Sequence, residues 1–106
     1  MNQVSNEPIQ FARVNAVTGS SQSIVALATG RIIRVVEMHI MADTDGTLVT
    51  WQSNATALAG PMKYNSGGGL VAKLESGILQ TVSGEGFKAT VTVGTINGWI
   101  HYQLLS

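Results

Sequence analysis

Apolar and polar residues alternate along this chain in short runs, and most runs end at a glycine, a proline or an Asx residue. Alternation at period two puts one residue set on each face of a β-strand. The clearest run sets Phe87, Ala89, Val91 and Val93 against Lys88, Thr90, Thr92 and Gly94, which predicts a half-buried strand. Residues 47–52 alternate as well and place Val49 and Trp51 on one face. Further strands are expected over residues 9–17, 23–29, 70–74, 78–82 and 99–105. In the last of these, Ile100, Tyr102 and Leu104 oppose Trp99, His101, Gln103 and Leu105.

The longest run covers residues 31–42. One of its faces reads Ile32, Arg34, Val36, Met38 and Ile40; the other reads Ile33, Val35, Glu37, His39 and Met41. Five β-branched residues between Ile32 and Ile40 favour strand over helix. Neither face is wholly polar, so the expectation is a central strand partly covered on both sides, with another subunit as a candidate cover for one of them.

Turn chemistry separates these runs. Asp43-Thr44-Asp45-Gly46, Glu75-Ser76-Gly77 and Ser83-Gly84-Glu85-Gly86 read as turns, and Asn65 to Gly69 as a flexible connection. Pro61 cannot donate to a sheet ladder, so any strand through it is short or at an edge. Asn97-Gly98 between two β runs predicts a hairpin with a type I′ turn. Together these signals predict an all-β fold, an antiparallel β-sandwich or related jelly roll or small barrel of about eight short strands. Residues 9–106 form its single domain, preceded by a polar, aperiodic arm over residues 1–8.

Composition sharpens the functional reading. Six Lys and Arg balance six Asp and Glu, and only 11% of the 106 residues are charged. A neutral chain lacks the electrostatic footprint of a nucleic-acid binder. Sparse charge implies a surface covered by partner subunits, or one coated by Ser, Thr, Asn and Gln. No cysteine is present, which excludes disulfides, thiolate nucleophiles and Cys-ligated zinc. The polar start and the lack of a membrane-length apolar run predict cytoplasmic synthesis without Sec-type export.

Candidate chemistry is thin. Glu37 and His39 share a strand face, and with His101 they are the only residues from which a zinc site can be argued; ordinary strand histidines are the preferred reading. Asp43 and Asp45 suit calcium by type but lack the closing glutamate of an EF-hand loop, so a turn is preferred. Glu75 and Glu85 occupy separate turns, with nothing that sets them across a cleft as a glycosidase requires. No Gly-x-Ser-x-Gly elbow occurs, and Gly67-Gly68-Gly69 runs into a strand rather than a phosphate-binding helix. Asn54-Ala55-Thr56 matters as a glycosylation pattern only if the chain is exported. Of the aromatics Trp51, Tyr64, Trp99 and Tyr102, which could form a carbohydrate platform, Trp51 reads as core and Trp99 as a subunit contact. No catalytic residue, metal or cofactor is expected.

Three stretches carry a family resemblance: RIIRVVEMHIMADTDGTLVTWQS, LAGPMKYNSGGGLVAKL and GILQTVSGEGFKATVTVGTINGWIHYQLL. They resemble small β-sandwich proteins of tailed bacteriophages that serve as capsid decoration, or cement, proteins. The resemblance implies a jelly-roll-like domain assembling as a homotrimer on the virion surface, against the major capsid protein and without nucleic acid or membrane. Its alternative is a receptor- or carbohydrate-binding module of the phage tail or fibre. Candidate interface residues are Ile33, Val35, Met41 and Trp99, and Asn2, Gln3, Val4 and Glu7 are candidates for a capsid-binding arm. One departure is expected: a jelly roll sets its last two strands in opposite sheets, whereas Asn97-Gly98 predicts that they pair directly.

Overall fold

The computed structural model describes residues 7–19 and 21–106, and these form an all-β sandwich of nine strands with no helix. The strands are β1 (Gln10–Val17), β2 (Gln22–Val25), β3 (Ile32–Ala42), β4 (Thr47–Ser53) and β5 (Thr56–Tyr64). They continue with β6 (Gly69–Lys73), β7 (Leu79–Gln80), β8 (Phe87–Thr92) and β9 (Thr95–Leu105). One sheet, called A here, has the order β1-β9-β3-β6, with β7 also on β3; the other, sheet B, has the order β2-β8-β4-β5. All strand pairs are antiparallel.

The pairing is nested. β4 pairs with β5, β3 with β6, β2 with β8 and β1 with β9, as if one long hairpin had been rolled over itself. The pairs β3–β9 and β4–β8 then close the roll into two sheets. This is jelly-roll topology, with the two-residue β7 as an addition. Side chains on the facing sides of both sheets form one core, with Trp51, Phe87, Ile33, Met38, Ile96 and Ile100 completely buried. The rings of Trp51 and Phe87 stack at 5.7 Å with an interplanar angle of 6°.

Asn97-Gly98 is not a turn. Both residues lie inside β9, and β8 and β9 belong to opposite sheets, as jelly-roll topology requires. The chain crosses between the sheets one step earlier, at Val93-Gly94, where both residues have positive φ (66° and 78°). Gly98 serves another purpose. It sits opposite Ile40 in the β3–β9 ladder, and a Cβ there would run into the His39 carbonyl oxygen. A glycine at this position therefore lets two backbones pass closely.

A β-branched residue at positive φ is strained, and Val93 is such a residue with a half-exposed side chain. Val93→Asn, which suits this conformation, is expected to raise stability by about 1 kcal/mol. The check is a higher denaturant midpoint at unchanged slope.

The long strand β3 also departs from expectation. Its register with β9 slips by one residue between Val35 and Glu37, a β-bulge at Val36. The inward set is therefore Ile33 and Val35 before the bulge, and Met38, Ile40 and Ala42 after it. Both faces look apolar in sequence because the strand changes face midway, and a second subunit is not needed to explain it. Ile33 and Val35 have no exposed surface, which removes them from the candidate interface. At the bulge β3 also exchanges its neighbour. β6 covers Glu37 to Met41, β7 covers Arg34 and Val35, and the intervening turn is tied down by Leu74 N–H to Val36 O (2.9 Å) and Ile78 N–H to Val35 O (2.7 Å).

β5 runs along the edge of sheet B, where Pro61 removes no needed ladder bond. Of the candidate arm, Asn2, Gln3 and Val4 lie outside the described residues. Glu7 is held against the domain: its carbonyl accepts from Gln103 Nε2 (2.8 Å), and its carboxylate meets Arg31 at 3.5 Å.

Candidate functional site

The two outer faces of the sandwich differ sharply in chemistry. Outward positions on the central strands of sheet B are Leu48, Thr50 and Gln52 on β4 and Lys88, Thr90 and Thr92 on β8. Thr90 Oγ1 donates to Gln52 Oε1 across the strands at 2.8 Å. Such a hydroxyl-rich, lightly charged face is an ordinary solvated one.

Sheet A presents a different surface. Its fixed register makes the outer face a grid, in which one row reads Phe11, His101, Glu37, Lys73 and the next Arg13, Trp99, His39, Val71. A third row holds Asn15, Asn97, Met41 and Gly69. Phe11 is 62% exposed, Met41 58% and Val71 73%. Several large apolar side chains left in solvent on one sheet face mark an interaction surface.

Trp99 is the centre of this face. On the β3 side the His39 ring stacks on it at 4.0 Å and 17°; on the β1 side Phe11 stacks at 6.1 Å and 28°. His101 lies tilted against it at 4.8 Å. Glu37 ties the two histidines together, with Oε2 2.8 Å from His39 Nε2 and Oε1 3.3 Å from His101 Nδ1. The His39 bond in the first place holds the Glu37 carboxyl below its ordinary 4.5; burial opposes it, and the His101 bond and Lys73 add to the lowering. One nitrogen of each imidazole is thus engaged with the Glu37 carboxylate, and the described residues contain no group of three arranged to hold a metal.

Beside the aromatic strip lies a concave pocket of about 450 Å³. Val36, Glu37, His101 and Gln103 form its floor, Glu7 and Ile9 one wall, Lys73 and Glu75 the other. It meets the grid at His101, Glu37 and Lys73, the row that also holds Phe11.

The other candidate residues are dispersed. Asp43 accepts from Thr95 N–H and Thr44 Oγ1, and Asp45 from Ser66 N–H, so both acids staple the corner between the sheets. The Thr95 bond chiefly, and then the Thr44 hydroxyl, hold the Asp43 carboxyl below its ordinary 3.8. Glu85 accepts from the buried Ser53 Oγ (2.5 Å), while Glu75 lines the sheet A pocket, so the two glutamates do not share a cleft. Trp51 is core, Tyr64 Oη donates to Met62 Sδ (3.1 Å) beside sheet B, and Tyr102 faces the interior from β9. These aromatics and Trp99 therefore form no common platform.

A carboxyl whose native value is depressed stabilises the fold above its unfolded value, and that contribution is lost as pH falls through the native one. Both Glu37 and Asp43 act in this sense. The thermal midpoint is expected to hold at neutral pH and to drop on acidification below about pH 4. Asp43→Asn, which keeps an oxygen for Thr95 N–H, should flatten that drop; a midpoint with the same pH slope in wild type and variant would exclude the assignment.

No protein family, curated protein or solved structure matches this chain.

Proposed function

We propose that this chain is a non-catalytic structural subunit that decorates the outer surface of a tailed-phage head as a homo-oligomer, with the major capsid protein as its lattice partner. The observation that carries the reading is the contrast between the outer faces: hydroxyl-rich on sheet B, aromatic and apolar around Trp99 on sheet A. A neutral domain with one uncovered aromatic face is built to be one part of an assembly. The jelly-roll topology and the resemblance of the three sequence stretches to decoration proteins support the same reading. The trimeric order comes from that resemblance alone.

The glycan-binding alternative is disfavoured by the ring geometry. A sugar stacks on an open aromatic face, and both flanks of Trp99 are taken by His39 and Phe11. The test is co-sedimentation of the purified protein with undecorated heads and, separately, with host cells. Pelleting with heads at saturable stoichiometry is the expected result. Pelleting only with cells would replace decoration by the tail or fibre role.

A further inference from the structure

We propose that the outer face of sheet A is a homotypic contact, formed by a second copy of this chain through a two-fold axis. This rests on the self-association in the preceding reading, not on its trimeric order, and names a surface and a pairwise symmetry for it. The register supplies the reasoning. The row Phe11, His101, Glu37, Lys73 lies directly beside the row Arg13, Trp99, His39, Val71. A two-fold axis in the plane of the contact, running across the strands between these rows, lays each row on the other row of a second copy.

That operation sets Phe11 against Arg13, His101 against Trp99, Glu37 against His39, and Lys73 against Val71 of the second copy. No like charges meet. The one acid meets an imidazole, and the Arg13 guanidinium meets an aromatic ring. Two of these pair types already occur within a single chain, as Glu37 with His39 at 2.8 Å and His101 with Trp99 at 4.8 Å. The outer face of sheet B, placed on itself in the same way, would bring together hydroxyls and a lysine that water already satisfies.

Size sets the strength of the contact. Four strands about 4.8 Å apart and three rows about 6.8 Å apart give about 400 Å² per copy, or about 800 Å² in a dimer. This is smaller than a standard specific interface, so weak self-association with dissociation at about tens to hundreds of micromolar is expected. Zero net charge leaves no long-range repulsion to oppose it.

Sedimentation equilibrium of the full chain from about 1 to about 300 μM tests the proposal. The expected result is a monomer–dimer equilibrium whose dissociation constant rises at least tenfold in Trp99→Ala and in Val71→Arg, but not in Thr92→Arg on sheet B. Val71 is an exposed edge residue, so its variant keeps the test valid even if Trp99→Ala folds poorly, which circular dichroism would reveal. A wild-type monomer throughout, or a dimer indifferent to both sheet A variants, overturns the proposal. A wild-type trimer also overturns the two-fold contact, while leaving the decoration reading to stand or fall by head binding.

Discussion

Gly98→Ala is expected to be among the most damaging single substitutions in this protein. The position looks harmless in sequence, as one half of an Asn-Gly pair. In the fold it has a φ of 152° in the middle of β9, with its α-carbon facing the β3 backbone at His39 and Ile40. A methyl group there cannot turn aside, because the obstacle is a backbone carbonyl in the central pair of sheet A. Gly69 makes the matching approach to β3 from its other edge, where a Cβ would meet the Ile40 carbonyl, so β3 is hemmed in on both sides. Overpacking and backbone strain together amount to about 3–5 kcal/mol. A domain of this size holds about 5–15 kcal/mol in all. Chemical denaturation should show a loss of about 3–5 kcal/mol, with Asn97→Ala as the exposed neighbour changing stability by less than about 0.5 kcal/mol. If Gly98 were at a hairpin turn, the two variants would rank far closer together.

Trp51→Ala is the second large effect. The indole is completely buried on the inner face of β4 and stacks on Phe87 from β8, so the pair locks the centre of sheet B against sheet A. Truncation empties the largest buried side chain in the domain and is expected to cost about 3–5 kcal/mol. Trp51→Phe should be mild, at about 1 kcal/mol. It keeps a ring on Phe87, and it removes an indole N–H that finds no acceptor among the described residues. Equilibrium unfolding of both variants checks the ranking. A Phe variant as unstable as the Ala variant would mean that the Nε1 proton has a partner after all.

The parts of this fold legible in sequence are those fixed by local alternation. β4 and β8 each bury one face, and their residues alternate without interruption, so Val49, Trp51, Phe87, Ala89 and Val91 are recognisable as core. The β3 bulge is not legible, because a register shift exists only relative to a partner strand. Read alone, a strand that changes face at Val36 is indistinguishable from one apolar on both sides. Asn97-Gly98 misleads for a related reason: a glycine demanded by a turn and one demanded by a close crossing have the same local signature. At the aromatic face, Glu37 and His39 are linked by their spacing of two and Trp99 stands out as an interface residue. Phe11 and His101 join them only through cross-strand pairing of segments far apart in the chain.

Electron microscopy of undecorated phage heads incubated with the purified protein tests the central claim most directly, which is that this jelly roll is a structural subunit of a capsid lattice. The expected result is added density repeating at symmetry-related positions over the head surface, fitted by the two-sheet sandwich. Heads that stay bare at saturating protein, alongside host cells labelled by the same preparation, would contradict it.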